Sequence, residues 1–239
     1  MGCQWQLFWQ SNMSTRCSGM HRPLRPKGVP NPRVKLARFI PRLSDRSSWR
    51  SSSMAQPVLV IHGAGEPRRR GRKVYWEPML ADGLGPDYRV RAPRMPQPTD
   101  PQYRIWSRRI GQLIADNPNP VLVGHSFGAS VLLKYFAEAA LRPSFTGLFL
   151  IATPLWGPDF PEFALPPDFG DRLRNVSPLY LYHSRDDAEI RFEHLERLGR
   201  ALPQAIVRAL DGRGHEFNQP QFPELVADIR GLNSVERAV

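Results

Sequence analysis

The chain has 239 residues, of which 41% are hydrophobic, and it carries a formal net charge of +11. Residues 1–53 hold ten Lys and Arg against one acid, whereas residues 54–239 hold 23 against 21, so the charge belongs almost wholly to the front of the chain. The remainder is near neutral, so the high net charge gives no reason to expect a nucleic-acid-binding domain. No apolar run approaches the length of about 18 residues that would predict a membrane span.

Residues 1–53 are rich in Arg, Ser and Pro and lack the period of a strand or a helix, which predicts a disordered N-terminal extension. Two interpretations fit this composition: an organellar transit peptide, or a tail upstream of a translation start at Met54. Cys3 and Cys17 both lie in this segment, so we expect residues 54–239 to form a domain without disulfides. We expect a cytoplasmic location unless residues 1–53 direct the protein to an organelle.

Strand and helix patterns alternate along residues 54–239. Short β-branched runs such as "VLVI" at residues 58–61 indicate strands buried on both faces, as in a parallel sheet. Asp100 is expected to cap a helix that begins at Pro101. The alternation predicts an α/β fold, a mostly parallel sheet with helices on both faces. The predicted strands are residues 58–61, 88–92, 121–123, 148–151, 179–182 and 205–210, and the predicted helices are 74–84, 101–117, 129–141, 189–202 and 220–232.

The third strand runs into "GHSFG", residues 124–128, which matches the pattern G-x-S-x-G. In this motif the chain turns sharply from strand to helix with the serine at the apex, and the small flanking residues avoid collisions with the neighbouring elements. Such a turn exposes the Ser126 hydroxyl in front of a helix N-terminus, with the backbone N–H of Phe127 directed at an oxyanion formed there. The motif therefore predicts Ser126 as a nucleophile.

A nucleophilic serine needs a histidine base and an acid, and they follow the serine along the chain in folds that use this turn. His215 lies in the glycine-rich loop "DGRGHEF" after the last strand, and we predict that it is the base. His183 ends a strand and His194 lies in an amphipathic helix, so both fit this role less well. The loop after the fifth strand supplies Asp186 and Asp187 as alternative acids.

The loop after the first strand, "HGAGE" at residues 62–66, is expected to supply a second oxyanion donor. Its glycines let the backbone of the loop approach a substrate closely. The backbone N–H of Ala64 is the preferred oxyanion donor, and the backbone N–H of Gly65 is the alternative. His62 is expected to support the loop by hydrogen bonding.

Two further segments have two interpretations each. Residues 154–171 are rich in Pro and Phe and form either the wall of an acyl pocket, with Trp156 and Phe160 as candidate substrate-binding residues, or a stiff loop that covers core. The basic stretch "EPRRRGRK", residues 66–73, either attracts an anionic substrate or is a solvated loop. No metal-ligand spacing or nucleotide-binding motif is present, so no cofactor or metal is expected.

The segments "VLVIHGAGE", "GHSFGASVLLKY", "YHSRDDAEIRFEHL" and "GRGHEF" resemble the serine-hydrolase branch of the α/β-hydrolase superfamily, and they are most similar to its small RBBP9/YdeN-like members with a minimal lid. The resemblance spans about residues 57–220. It favours Asp187 over Asp186, because in relatives the acid is followed by Pro-x-Val-Pro. Asp187 stands at that place, although the prolines are missing here.

The resemblance implies a cofactor-free hydrolase that acts on an ester, thioester or amide of a small acyl substrate. A carboxylesterase-like reaction through Ser126, His215 and Asp187 is the preferred hypothesis. An amidase or peptidase would use the same groups, and a non-catalytic binding protein on the same fold is the alternative outside enzymes. The sequence leaves the substrate and the oligomeric state open.

Overall fold

The computed structural model describes residues 55–65, 76–139, 143–217 and 219–236. The predicted extension at residues 1–53 and the basic stretch at residues 66–73 lie outside the described residues. Within these described ranges, no helix is both long and apolar enough to cross a membrane.

In the part of the chain that the structure describes, six parallel strands form one sheet in the order β2-β1-β3-β4-β5-β6, and this confirms the predicted α/β fold. From β1 the chain passes to β2 on one side and then crosses to β3 on the other side. The carboxyl ends of β1 and β3 therefore flank the switch point at which open α/β sheets bind ligands. The strands are β1 (Gln56–Ile61), β2 (Tyr88–Arg91), β3 (Val121–His125), β4 (Gly147–Ile151), β5 (Leu179–Ser184) and β6 (Ile206–Leu210).

Helices cover both faces of the sheet, as the apolar strand runs predict. Alternate side chains of a strand point to opposite faces, so Val58 and Val60 join one core cluster while Leu59 and Ile61 join the other. α1 and α6 pack on the first cluster, and α2, α3, α4 and α5 pack on the second. The helices are α1 (Trp76–Leu84), α2 (Tyr103–Ala115), α3 (Phe127–Glu138), α4 (Phe169–Leu173), α5 (Glu193–Ala201) and α6 (Pro223–Glu236).

The prediction that Asp100 caps a helix at Pro101 is wrong. The N–H of Asp100 instead closes a turn to the carbonyl of Gln97 at 3.0 Å, and α2 begins two residues after Pro101, at Tyr103. The N–H of Tyr103 donates to the carboxylate of Glu162 at 2.7 Å. A side chain 59 residues away thus satisfies a donor at this helix terminus, and local sequence patterns do not reveal such a partner.

Other helix boundaries also differ from the prediction. α5 begins at Glu193 and not at residue 189, because the preceding residues form a turn around the Asp187 carboxylate. α3 ends at Glu138 and not at residue 141, since Ala139 is already extended, with φ of −65° and ψ of 117°. α6 begins at Pro223 and not at residue 220, which places proline in the first turn that tolerates it.

Candidate active site

Ser126 occupies a strained turn between β3 and α3. Its backbone angles are φ 52° and ψ −122°, a conformation that a residue with a side chain rarely adopts. The surrounding chain fixes this conformation: the N–H of Ser126 donates to Ile151 O at 2.8 Å, and the N–H of Ala129 donates to Ser126 O at 3.0 Å. Strain that is held in place by neighbouring hydrogen bonds is typical of functional sites.

The two glycines of the motif are required by close packing. A methyl group at Gly128 would lie 2.3 Å from the carbonyl oxygen of Ile61 and 2.4 Å from that of His62. A methyl group at Gly124 would lie 2.7 Å from Cα of Ala129. The N-terminus of α3 therefore lies directly against the end of β1, which brings Ser126 to the switch point of the sheet.

Three of the predicted side chains form one continuous chain of hydrogen bonds. His215 Nε2 lies 2.9 Å from Ser126 Oγ, and His215 Nδ1 lies 2.8 Å from Asp187 Oδ2. A carboxylate only accepts, so Nδ1 carries the proton and Nε2 accepts from the serine hydroxyl. His215 and Asp187 are both 9% exposed, so the hydrogen bond between them is shielded from water, whereas the bond to Ser126 is part-buried.

The two adjacent aspartates take different positions. Asp186 is exposed, and its Oδ1 accepts from the N–H of Gly214 at 3.3 Å and from the Ser184 hydroxyl. It is Asp187 that contacts His215. Burial by itself would raise the pKa of Asp187, but hydrogen bonds from His183, His215 and the N–H of Ile190 outweigh this effect and hold the pKa well below its ordinary value.

The two predicted oxyanion donors belong to the backbone on either side of Ser126, in the loop after β1 and at the start of α3. A methyl group at Gly63 would lie 3.4 Å from Cβ of Ser126, so the loop after β1 reaches the serine. The N–H of Gly65, the alternative candidate, donates to Pro98 O at 2.7 Å, so Ala64 stays the preferred oxyanion donor of this loop. Over the ranges that the structure describes, neither the N–H of Ala64 nor that of Phe127 has a hydrogen-bond partner.

His62 holds this loop, as the sequence predicts. Its Nε2 accepts from the N–H of Met95 at 3.1 Å, so its Nδ1 carries the proton and donates to Gly63 O at 2.6 Å. Burial lowers the pKa of His62, which keeps this tautomer neutral.

Residues 58–225, well over half of the chain, match the family model described as serine hydrolase. The chain belongs to the serine hydrolase family. This result confirms the predicted relation to the RBBP9/YdeN-like proteins. No curated protein sequence matches the chain.

Solved structures show the fold of this serine hydrolase. The ydeN gene product of B. subtilis is 18% identical and superposes with a TM-score of 0.58 over 75% of this chain and 99% of its own. The meta-cleavage product hydrolase CumD of Pseudomonas fluorescens IP01 is 15% identical, with a TM-score of 0.57 over 77% of this chain and 92% of its own. A carboxylesterase structure from Nitrososphaera gargenis is 14% identical, with a TM-score of 0.57 over 78% of this chain and 93% of its own. The hydrolase has the α/β-hydrolase fold.

His183 contacts the acid of this site, although sequence reasoning set it aside as a strand-ending residue. Its Nε2 lies 2.9 Å from Ile190 O, so it carries a proton, and it also lies 3.2 Å from Asp187 Oδ2. Asp187 Oδ1 accepts the N–H groups of Glu189 and Ile190, both at 2.8 Å. The carboxylate is therefore surrounded by four donors, and His183 ties the strand end to the turn that follows.

Replacing His183 with phenylalanine should lower the free energy of unfolding by about 1.5–3 kcal/mol, because the buried Asp187 carboxylate would keep its charge with one fewer donor. Urea denaturation at pH 7 measures this change. His183→Gln is the matched control, since its side-chain N–H can still donate toward Asp187, and it should lose less stability. A phenylalanine variant as stable as the wild type would contradict the assigned contact.

His125 anchors the loop that carries His215. Its Nε2–H donates to the backbone carbonyl of His215 at 2.8 Å, and its ring packs against Trp76 at 5.3 Å between centroids. Burial, together with the nearby His215, lowers the pKa of His125 to about 3, so the ring stays neutral. The variable second position of the motif thus positions the loop of the predicted base.

Residues 154–168, the part of the Pro- and Phe-rich segment that precedes α4, are hydrogen-bonded to the neighbouring helices. Leu155 N–H donates to His194 Nδ1 at 3.0 Å, and Lys134 Nζ donates to Ala164 O at 2.6 Å. Trp156 packs edge-on against Phe127, the residue after Ser126, with ring centroids 5.9 Å apart, and Phe160 packs against Trp156 at 5.2 Å. The role of Trp156 and Phe160 as substrate contacts stays a prediction.

In the part of the chain that the structure describes, no group of three or more His, Cys, Asp or Glu side chains is arranged to hold a metal ion.

Proposed function

We propose that the protein is a carboxylesterase-like serine hydrolase that cleaves small esters through a Ser126–His215–Asp187 triad. The observation that carries this proposal is the hydrogen-bond chain from Ser126 Oγ through His215 to Asp187, at 2.9 and 2.8 Å, in a chain of the serine hydrolase family. A structural neighbour described as a carboxylesterase supports the choice of esters.

The first half of the reaction forms an acyl-enzyme. Ser126 Oγ attacks the carbonyl carbon while His215 Nε2 takes the hydroxyl proton. The N–H groups of Phe127 and Ala64 hold the oxyanion of the tetrahedral intermediate. As the C–O bond of the ester breaks, His215 returns the proton to the leaving alcohol, and the acyl group stays on Ser126.

The second half regenerates the serine. A water molecule takes the place of the alcohol and gives a proton to His215 Nε2 as its oxygen attacks the acyl carbon. The second tetrahedral intermediate collapses, the carboxylic acid leaves, and the proton returns to Ser126 Oγ. Throughout both halves Asp187 keeps the Nδ1–H tautomer of His215 and stabilises the imidazolium that forms twice in each cycle.

The pH dependence of ester hydrolysis tests this mechanism, because only neutral His215 can accept the serine proton. Burial lowers the pKa of His215, but the hydrogen bond to Asp187 and the negative charges of Asp187, Glu189 and Glu216 raise it above its ordinary value of 6.5. We therefore expect kcat/KM to rise with pH through a midpoint above 6.5. Asp187, with its lowered pKa, stays ionised and adds no second step in this range.

The measurement uses the full-length protein and short-chain p-nitrophenyl esters from about pH 5 to 9. Product is followed at the wavelength where p-nitrophenol and p-nitrophenolate absorb equally, so that ionisation of the product does not distort the profile. A flat profile, or a midpoint below the ordinary histidine pKa, would show that His215 is not the base.

A further inference from the structure

Glu189 places a carboxylate beside the base of the proposed triad. Its Oε2 lies 3.9 Å from His215 Nε2, the nitrogen that faces Ser126. Its backbone N–H donates to Asp187 Oδ1 at 2.8 Å, so the acid itself fixes the backbone from which this side chain extends. The side chain is 45% exposed, so the carboxylate faces solvent at the edge of the site.

The Glu189 carboxylate has no arginine or lysine partner among the described residues. Its ionic contact there is with His215 alone, and Glu216, the exposed residue after His215, adds a second negative charge nearby. The arginines closest to it in sequence and in the neighbouring loop bind other acids: Arg185 with Asp211 at 3.2 Å, Arg191 with Glu193 at 3.3 Å and Arg213 with Glu224 at 2.8 Å. Among the described residues, the charges that act on His215 are those of Asp187, Glu189 and Glu216, and all three are negative.

The position of this charge relative to a substrate follows from the mechanism. His215 Nε2 must hand its proton to the leaving atom, which then lies within about 3.2 Å of Nε2. The leaving atom is consequently no more than about 7 Å from Glu189 Oε2, less than the Debye length of about 8 Å at physiological ionic strength. A charge on the leaving group near the scissile bond would interact directly with Glu189.

We propose that Glu189 is a specificity-determining residue that favours substrates with a positively charged leaving group, such as esters and thioesters of quaternary or protonated amino alcohols and aminothiols. Neutral leaving groups gain nothing from it, and leaving groups that carry a carboxylate or phosphate are repelled. This inference rests on the proposed hydrolase function and deepens it, because it names the substrate class.

The test compares two thioesters of the same shape: the thiocholine ester and the 3,3-dimethylbutyl thioester, in which carbon replaces the ammonium nitrogen. Both carry the acyl group that the wild-type protein hydrolyses fastest as a p-nitrophenyl ester. The measured quantity is the ratio of kcat/KM for the cationic over the neutral thioester, at low salt and constant pH. We expect a ratio of about 3–10 in the wild type and a ratio near 1 in Glu189→Gln.

Glu193→Gln is the matched control, because Glu193 is an exposed carboxylate on α5 that already pairs with Arg191. It should keep the wild-type ratio. A third thioester that ends in a carboxylate should be hydrolysed faster by Glu189→Gln than by the wild type. Raising the salt concentration should lower the cationic preference of the wild type and leave that of Glu189→Gln unchanged.

The outcomes separate this inference from the proposed function. An equal ratio in the wild type and Glu189→Gln, or a wild-type enzyme that hydrolyses p-nitrophenyl esters but shows no preference for the cationic thioester, overturns the role of Glu189 alone. A wild-type preference for the anionic thioester that Glu189→Gln leaves unchanged also overturns it. Absence of hydrolysis of all of these esters by the folded wild type overturns the proposed function together with this inference.

Discussion

Replacing Ser126 with alanine in the full-length protein should lower kcat for ester hydrolysis by about 10⁴- to 10⁶-fold. The proposed reaction passes through a covalent bond to Ser126 Oγ, and no neighbouring group can take that place, since His215 and Asp187 act only through the serine proton. The residual rate would come from the backbone donors and from substrate binding. The fold should remain, because alanine meets the same backbone strain as serine at a φ of 52°.

Labelling by a fluorophosphonate probe measures the same property without a known substrate, because the probe reacts with an activated serine. The wild type should be labelled, and Ser126→Ala should not. Ser107→Ala is the matched control: Ser107 is a half-buried serine on α2 whose hydroxyl donates to Arg104 O at 3.3 Å, and its removal should leave labelling intact. Labelling or full activity in Ser126→Ala would refute the nucleophile assignment.

Much of the fold could be predicted from the sequence, because its signals are local. The apolar β-branched strand runs and the glycines around Ser126 are each contained in a few residues, and each has one physical interpretation. His215 could be predicted from its place in a loop after the last strand. The choice between Asp187 and Asp186 needed the family resemblance, since two adjacent carboxylates in one loop look alike until the backbone turns between them.

The contacts that sequence reasoning missed join residues that only the folded chain brings together. The Glu162 carboxylate accepts a hydrogen bond from the first turn of α2, at a sequence separation of 59 residues. The His125 ring donates to the backbone carbonyl of His215, at a separation of 90 residues. His183 and Asp187 are only four residues apart, but they meet because the Asp187 carboxylate itself folds the turn that separates them. The late start of α5 has the same cause. The turn around the Asp187 carboxylate therefore explains both the missed contact of His183 and the wrong start of α5.

Replacing Gly128 with alanine should be the most damaging small substitution to the stability of the domain. The added methyl group would lie 2.3 and 2.4 Å from the carbonyl oxygens of Ile61 and His62. Those oxygens belong to backbone at the end of β1, where Ile61 is paired with Gly124 of β3 and cannot move without breaking that pairing. We expect the free energy of unfolding to fall by about 3 kcal/mol or more, which equals or exceeds the largest loss usual for substitutions that overpack a core.

Gly231→Ala is the matched control for this substitution. Gly231 lies on α6, and a methyl group there would meet nothing within 4 Å, so the same change should be neutral or stabilise the helix by about 0.5–1 kcal/mol. Urea denaturation compares the variants where both fold, and the soluble yield compares them where Gly128→Ala does not. The substitution should also abolish fluorophosphonate labelling, because relief of the clash moves α3 away from β1 and takes the N–H of Phe127 away from the loop of Ala64. A Gly128→Ala protein with wild-type stability would show that the close approach of α3 to β1 does not exist, and the proposed arrangement of the two oxyanion donors would fall with it.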